Sequence, residues 1–230
     1  MSNEVLWILL LVVNFSILTI FYALFGKAGL YIWTALAVIL ANIQVIKLIQ
    51  LFGFTTSMGN VVYSSTFLAT DILSENHSKK DAHRTVIMGF AVLIATTLIM
   101  FICIKFIPHP DDISQDALAL IFNFLPRIAV ASVTAYLISQ NLDIILFELI
   151  RKKFPGDNTA WIRNNGSTMV SQFVDNAIFT LIAFIGVYSW QIIIEVFLVS
   201  YVLKIIIAAL DTPFLYIAKW IKKNSRVVNF

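Results

Sequence analysis

Apolar stretches of about 20 residues, separated by short polar connections, recur along the whole of this 230-residue sequence. A helix of that length crosses a hydrocarbon core about 30 Å thick. Candidate spans fall near residues 5 to 25, 30 to 52, 56 to 75, 85 to 107, 117 to 150, 162 to 187 and 191 to 219. Backbone polar groups in lipid must be satisfied within a helix or a closed barrel, and these runs are too long and too weakly alternating for barrel strands. The sequence therefore predicts an all-α, polytopic transmembrane helix bundle of six or seven spans, a single domain over residues 1–230. With 60% apolar and 13% charged residues, little is left over for an extramembrane domain.

Several kinds of chemistry are excluded on the same page. The single cysteine, Cys103, permits no disulfide or cysteine metal cluster within the chain. His77, His83 and His109 all fall in loops or at segment ends, away from any serine at membrane depth, and Asp71, Asp143 and Asp175 lack the flanking glycines of an intramembrane aspartyl protease. No phosphate-binding loop, dinucleotide fingerprint or metal-ligand spacing is present. The expectation is a protein that is not an enzyme and carries no cofactor.

The net charge of +3 comes from basic clusters at segment ends: Lys79, Lys80 and Arg84; Arg151 to Lys153; Lys219, Lys222, Lys223 and Arg226. That is the pattern of positive-inside anchoring, and it argues against direct nucleic-acid binding. Seven spans put all three clusters and Lys27 in the cytoplasm, with the C-terminus inside and the N-terminus outside. The first run has no basic residue before it and no small-residue cleavage site near its end, so it reads as a mature helix.

Two places break the regular pattern. The fifth segment, 34 residues from 117 to 150, is too long for one crossing, and Pro126 offers a break between a short piece ending at Leu125 and a helix starting near Arg127. The stretch from Gly53 to Gly59 is expected to be partly unwound, which at membrane depth requires protein or a water-filled cavity beside it. Segments two to four and five to seven run in opposite senses, each trio with an acid in its middle member (Asp71, Asp175), as in an inverted repeat.

Polar residues inside the spans are not scattered. Ser57, Asn60, Ser64, Asp71 and Glu75 fall within an arc of about 60° on a helix of 3.6 residues per turn. Ser132, Tyr136, Ser139, Gln140 and Asp143 form a second stripe, and Asn164, Ser167, Thr168, Ser171, Gln172 and Asp175 a third. Gln44, Lys47 and Gln50 follow at i, i+3 and i+6, with Ser200, Lys204 and Asp211 on the last segment. Each ionised group at the bilayer centre costs about 2.5 to 3.5 kcal/mol, so five such stripes predict a shared polar cavity. Single serines and threonines are ordinary helix-packing residues, and Lys47 and Lys204 can also be read as partners of buried aspartates.

The runs Ala41-Asn42-Ile43-Gln44-Val45-Ile46-Lys47, Thr70-Asp71-Ile72-Leu73-Ser74-Glu75, Arg127 to Ser132, Ser139-Gln140-Asn141-Leu142-Asp143, Trp161 to Thr168 and Ser171-Gln172-Phe173-Val174-Asp175 resemble the bacterial queuosine precursor transporters of the vitamin-uptake-like family. The resemblance extends from about residue 30 onward. Where the family usually has a glycine-containing turn after its Ser-Glu pair, this chain has Asn76-His77-Ser78. The resemblance implies import of a 7-deazaguanine such as preQ0, preQ1 or queuine across the bacterial inner membrane, for tRNA modification salvage.

The residue inventory suits that substrate. A guanine-like ring offers adjacent N–H and amino donors to a carboxylate and a carbonyl to an amide or cation. Asp71, Asp143 and Asp175 are the candidate acceptors; Asn42, Gln44, Lys47, Gln140, Arg163 and Gln172 the candidate donors; Tyr136, Phe173 or Phe179 the candidate ring clamp; and Glu75 a candidate proton carrier. A homodimer is the preferred assembly. The rival readings are a substrate-capture subunit of an energy-coupling vitamin transporter, and a non-transporting membrane sensor or interaction protein.

Overall fold

The first helix, α1 (Asn3–Gln44), runs through both of the first two expected spans. Its 42 residues are interrupted at Gly26, whose φ of 57° and ψ of −138° form a combination that essentially only glycine adopts. The connection expected at Gly26 to Gly29 is thus a sharp break at Gly26, with α1 helical on either side of it. In this computed structural model the described residues are 1–153 and 160–224, and the side chains at 140, 141, 143, 144, 147, 148, 151, 160–165, 167 and 168 fall outside the description.

After α1 come two short strands, β1 (Leu48–Leu51) and β2 (Phe54–Ser57), then α2 (Asn60–Asn76), α3 (Lys79–Cys103), α4 (Gln115–Phe122), α5 (Leu125–Lys153), α6 (Ala160–Phe184) and α7 (Trp190–Asn224). The architecture is that of a helical membrane protein. Among the described residues, Asn3–Gln44, Lys79–Cys103, Gln115–Ser139 and Trp190–Asn224 are long and apolar enough to cross a bilayer, and Met169–Phe184 is a shorter apolar helix. The break expected at Pro126 lies at Asn123 and Phe124, with Pro126 in the first turn of α5, where its missing N–H costs nothing.

The hairpin corrects the helical reading of residues 45–52 and puts a paired strand where the stretch from Gly53 was expected to be only unwound. Strands β1 and β2 pair antiparallel with Leu48 opposite Ser57 and Leu51 opposite Phe54. The two turn residues both have positive φ, Phe52 at 52° and Gly53 at 82°, as a two-residue turn matching the twist of a hairpin demands. An isolated two-stranded hairpin is marginal, and this one is tied to α1: Asn3 Nδ2 donates to the Gln50 carbonyl at 2.7 Å, and the Phe52 N–H donates to Glu4 Oε1 at 3.0 Å. Gln44, Lys47 and Gln50 therefore do not share a helical face. Gln44 ends α1, Lys47 lies in the turn beyond it, and Gln50 is in β1.

The chain forms two units, Met1–Pro126 with the chain from Val202, and Arg127–Tyr201, a division that does not follow the two trios of the expected inverted repeat. In the first unit α1 packs on α2 and α3, burying Phe15, Leu18, Tyr22, Leu30, Leu68, Ile72 and Leu93. Phe15 also meets Phe214 of α7, ring centroids 5.3 Å apart. In the second unit, Ala131, Ala135 and Ser139 are buried at four-residue intervals along α5, the small-residue spacing that allows helices to approach closely. Arg127 donates from Nε to the Ile182 carbonyl at 2.7 Å and from Nη2 to that of Ile185. These are carbonyls at the C-terminal end of α6, left without helical partners, and a cation there also complements the helix dipole.

Asn76-His77-Ser78 does the work of a joint in the first unit. Asn76 Nδ2 donates to the Tyr22 hydroxyl at 3.0 Å and to the Ala218 carbonyl of α7 at 3.2 Å, and His77 Nε2 lies 3.2 Å from the same hydroxyl. Ser78 caps α3 by accepting from the Asp81 N–H at 3.1 Å. Asp81 in turn accepts from the Tyr31 hydroxyl at 2.7 Å and has Lys27 at 4.0 Å. Burial holds the His77 pKa below its ordinary 6.5, and Lys222 then Lys27 push the same way while Asp81 opposes them.

The sign of the resulting pH dependence follows. Below pH 6.5 the unfolded chain takes up a proton that folded His77 resists, so acidification favours unfolding until the depressed folded pKa is passed. The melting temperature of the purified protein in detergent is expected to fall as pH drops below 6.5, and His77→Gln to flatten that decline. An unchanged slope in the variant would assign the pH dependence elsewhere.

Candidate functional site

The thirteen candidate residues divide between the two units. In the first, Asn42 is buried on α1 and donates to the Val38 carbonyl at 2.7 Å. Gln44 follows where α1 meets the start of α2; a Cβ on Gly59 would lie 3.4 Å from its own Cβ. The Gln44 Oε1 atom is buried with no hydrogen-bond partner among the described residues. A buried amide oxygen without a partner costs about 1–3 kcal/mol, so this one is an acceptor in want of a donor.

Asp71 and Glu75 sit one turn apart on the exposed edge of α2. Asp71 is close enough to Asp211 of α7 to repel it, and Glu75 pairs with Lys219 at 2.8 Å. The Glu75 carboxylate is thus engaged in a partly exposed ion pair. Lys204 is placed over the Tyr63 ring, 5.2 Å from its centroid, a cation–π position.

Lys47 occupies a different setting. It lines a cavity of about 410 Å³ in the first unit, walled by Leu6, Trp7, Leu10 and Val13 of α1, by Ile49, Thr56 and Ser57 of the hairpin, by Asn60 and Val61 of α2, and by Leu203. That volume lies in the range of small-molecule sites. Asn3 and Trp7 were not expected here. They stand four residues apart and so share a face of α1, but one amide at the start of an apolar run is a weak signal without the hairpin opposite it.

In the second unit Asp175 is 4% exposed, and Ser139 of α5 donates to its Oδ1 at 3.2 Å. Ser171, one turn earlier on α6, is buried beside it in sequence register. The neighbouring Asn176, which stripe counting passed over, donates from Nδ2 to the Phe197 carbonyl of α7 at 2.7 Å. Gln172 Oε1 is a second buried amide oxygen with no partner among the described residues. Phe173 is 45% exposed and meets Phe197 and Tyr201 edge-on, at 5.1 and 5.4 Å between centroids. Tyr136 is half-buried on α5. The side chains of Gln140, Asp143 and Arg163 lie outside the described residues.

The chemistry available is recognition by hydrogen bonding. In the first unit Lys47 at the cavity and the Gln44 oxygen, and in the second unit the buried Asp175 carboxylate and the Gln172 oxygen, supply a cation and acceptors, the two amide oxygens having no partner among the described residues. Among the described residues no three histidine, cysteine, aspartate or glutamate side chains gather as a metal site.

Comparison with known proteins gives this inventory a context. Residues 57–218 match the family model described as "Putative vitamin uptake transporter". A Bacillus subtilis (strain 168) protein named "Probable queuosine precursor transporter" is 42% identical over 219 residues, 95% of this chain and 96% of its own length. The Escherichia coli (strain K12) "Queuosine precursor transporter" is 29% identical over 163 residues, covering 70% of this chain and 71% of its own. No solved structure matches the chain. By the extent of the family match and the near full-length relative, this chain belongs to that transporter family and is a multi-pass membrane transporter, not an enzyme.

Proposed function

We propose that this chain imports a 7-deazaguanine precursor of queuosine across the bacterial inner membrane, acting as a single transporter domain over residues 1–230. The observation that carries this reading is the 42% identity over 95% of the chain to a relative named for that substrate. The buried polar groups support it: Asp175 suits the adjacent donors of a guanine-like edge, and amide oxygens without partners suit a ligand that brings donors. No covalent step is needed. The ligand binds within the bilayer and the helices alternate access around it.

Seven crossings fit the element lengths. Helix α1, with 42 residues, is about 63 Å long, twice the hydrocarbon core, and its kink at Gly26 divides it into two spans. Helices α2, α3, α5, α6 and α7 supply the remainder, with α4 as a short preface to α5. The basic clusters then lie inside with the C-terminus, and Asp111, Asp112 and Asp116 outside. A homodimer remains the assembly proposed.

The test is genetic and chemical. In a bacterial strain that can neither synthesise nor import queuosine precursors, expression of this chain with preQ0 or preQ1 in the medium is expected to restore queuosine to tRNA. Failure with every 7-deazaguanine would remove the reading. The family description also names vitamins; restoration only when an energy-coupling ATPase module is co-expressed would turn the chain into a capture subunit.

A further inference from the structure

We infer that the cavity between α1 and the β1–β2 hairpin seats the substrate ring, with its exocyclic carbonyl at Lys47 and its face against Trp7. This rests on the import reading above and deepens it by naming a pocket and the edge of the ligand it reads.

Depth is the first argument. The tip of the hairpin lies beside Glu4 of α1, through the Phe52 N–H, whereas the start of α2 lies beside Asn14, whose Nδ2 is 3.5 Å from the Val61 carbonyl. Ten helical residues separate those two levels, about 15 Å along the axis. Lys47 belongs to the deeper one, because its carbonyl accepts from the N–H of Met58, immediately before α2. With Glu4 and the hairpin tip taken as the headgroup level, Lys47 lies about 15 Å below it, and an ionisable side chain at that depth points to a ligand pathway.

The second argument is charge. Among the described residues no carboxylate pairs with Lys47, and no carboxylate lines the cavity. Helix α2 starts at the cavity with Gly59 as its N-cap and no side-chain cap bond, so the positive end of its dipole adds to the lysine. The polar end is therefore donor-rich and calls for an acceptor such as a ring carbonyl. The third argument is shape: Trp7, Leu6, Leu10, Val13 and Leu203 give apolar walls suited to the faces of a flat ring. An anionic lipid shares the charge complementarity, but its phosphate belongs at the interface, about two to three helical turns above Lys47.

The experiment compares two ligands on the full-length protein in nanodiscs: preQ0, and the same ring without the exocyclic carbonyl. Wild type is expected to prefer preQ0. Lys47→Met should weaken preQ0 binding about 10- to 100-fold, the range for a hydrogen bond to a charged group, and bind both rings alike. Trp7→Ala should weaken both by a similar factor, with Trp7→Phe restoring most of it. If Lys47→Met still discriminates between the rings as wild type does, or if anionic lipid and not preQ0 protects Lys47 from amine-modifying reagent, this assignment is overturned while import stands. If wild type neither binds nor imports any 7-deazaguanine, the import reading itself is overturned.

Discussion

Replacing Asp175 by asparagine is expected to reduce uptake of labelled preQ1 into cells to near background while leaving the protein folded. The side chain is 4% exposed, and Ser139 donates to one of its oxygens at 3.2 Å. A carboxylate offers about four acceptor sites and can take the paired N–H and amino donors of a guanine-like edge, as a second station on the transport route distinct from the Lys47 cavity, which no carboxylate lines among the described residues. Asparagine keeps the volume but turns one acceptor into a donor, which then faces a donor on the ligand. Two hydrogen bonds to a charged group, at about 1.5–3 kcal/mol each, make the loss at least about 100-fold.

Stability should move little or upward, because removing a buried charge relieves its desolvation. Ser139→Ala should act more mildly, since it removes one donor to the carboxylate and leaves the carboxylate itself in place. Equal uptake and affinity in wild type and Asp175→Asn would exclude this carboxylate from the site and leave it as a packing element of α5 and α6.

Much of this arrangement was legible in the sequence. Spans of about 20 apolar residues mark the helices, and Pro126 marks the break before α5 within three residues. The stripe on the sixth segment led to Asp175, because an acid one helical turn from Ser171 in an apolar run is too costly to sit there without a polar partner or a ligand. The hairpin was harder. Leu48–Leu51 and Phe54–Ser57 are four-residue strands inside a longer apolar run, too short for period two to stand out against a helix. The strongest hairpin signal is Asn-Gly, and here the turn is Phe-Gly, with Phe52 adopting a positive φ that sequence alone does not predict for it. Missing the hairpin concealed the cavity, and with it the relation of Asn3 and Trp7 to Lys47.

Gly29→Ala is expected to destabilise the protein strongly for so small a change. In an unstrained helix the change stabilises by up to about 1 kcal/mol, so the sign itself is informative. A Cβ built on Gly29 would stand 2.1 Å from the Phe21 carbonyl oxygen and 2.6 Å from its carbon. Both are backbone atoms eight residues earlier, on the other side of Gly26, brought there by its reversed torsions, and they cannot swing aside as a flexible side chain could. Relief requires opening the kink.

The kink is flanked by Tyr22 and Tyr31, whose hydroxyls meet His77 and Asn76 on one side and Asp81 on the other. Opening it pulls both tyrosines from their partners, so the steric cost, at or above the roughly 1–3 kcal/mol typical of overpacking, is joined by lost hydrogen bonds of about 1 kcal/mol each. The measurement is the melting temperature in detergent alongside Gly53→Ala. Gly53 also has positive φ, at 82°, but has nothing within 4 Å of its added Cβ, so that variant should lose only the conformational term, about 1–2 kcal/mol. A Gly29→Ala protein that melts at or above wild type would show that α1 can straighten at no cost, and the joint at Tyr22 and Asp81 would then not depend on the bend.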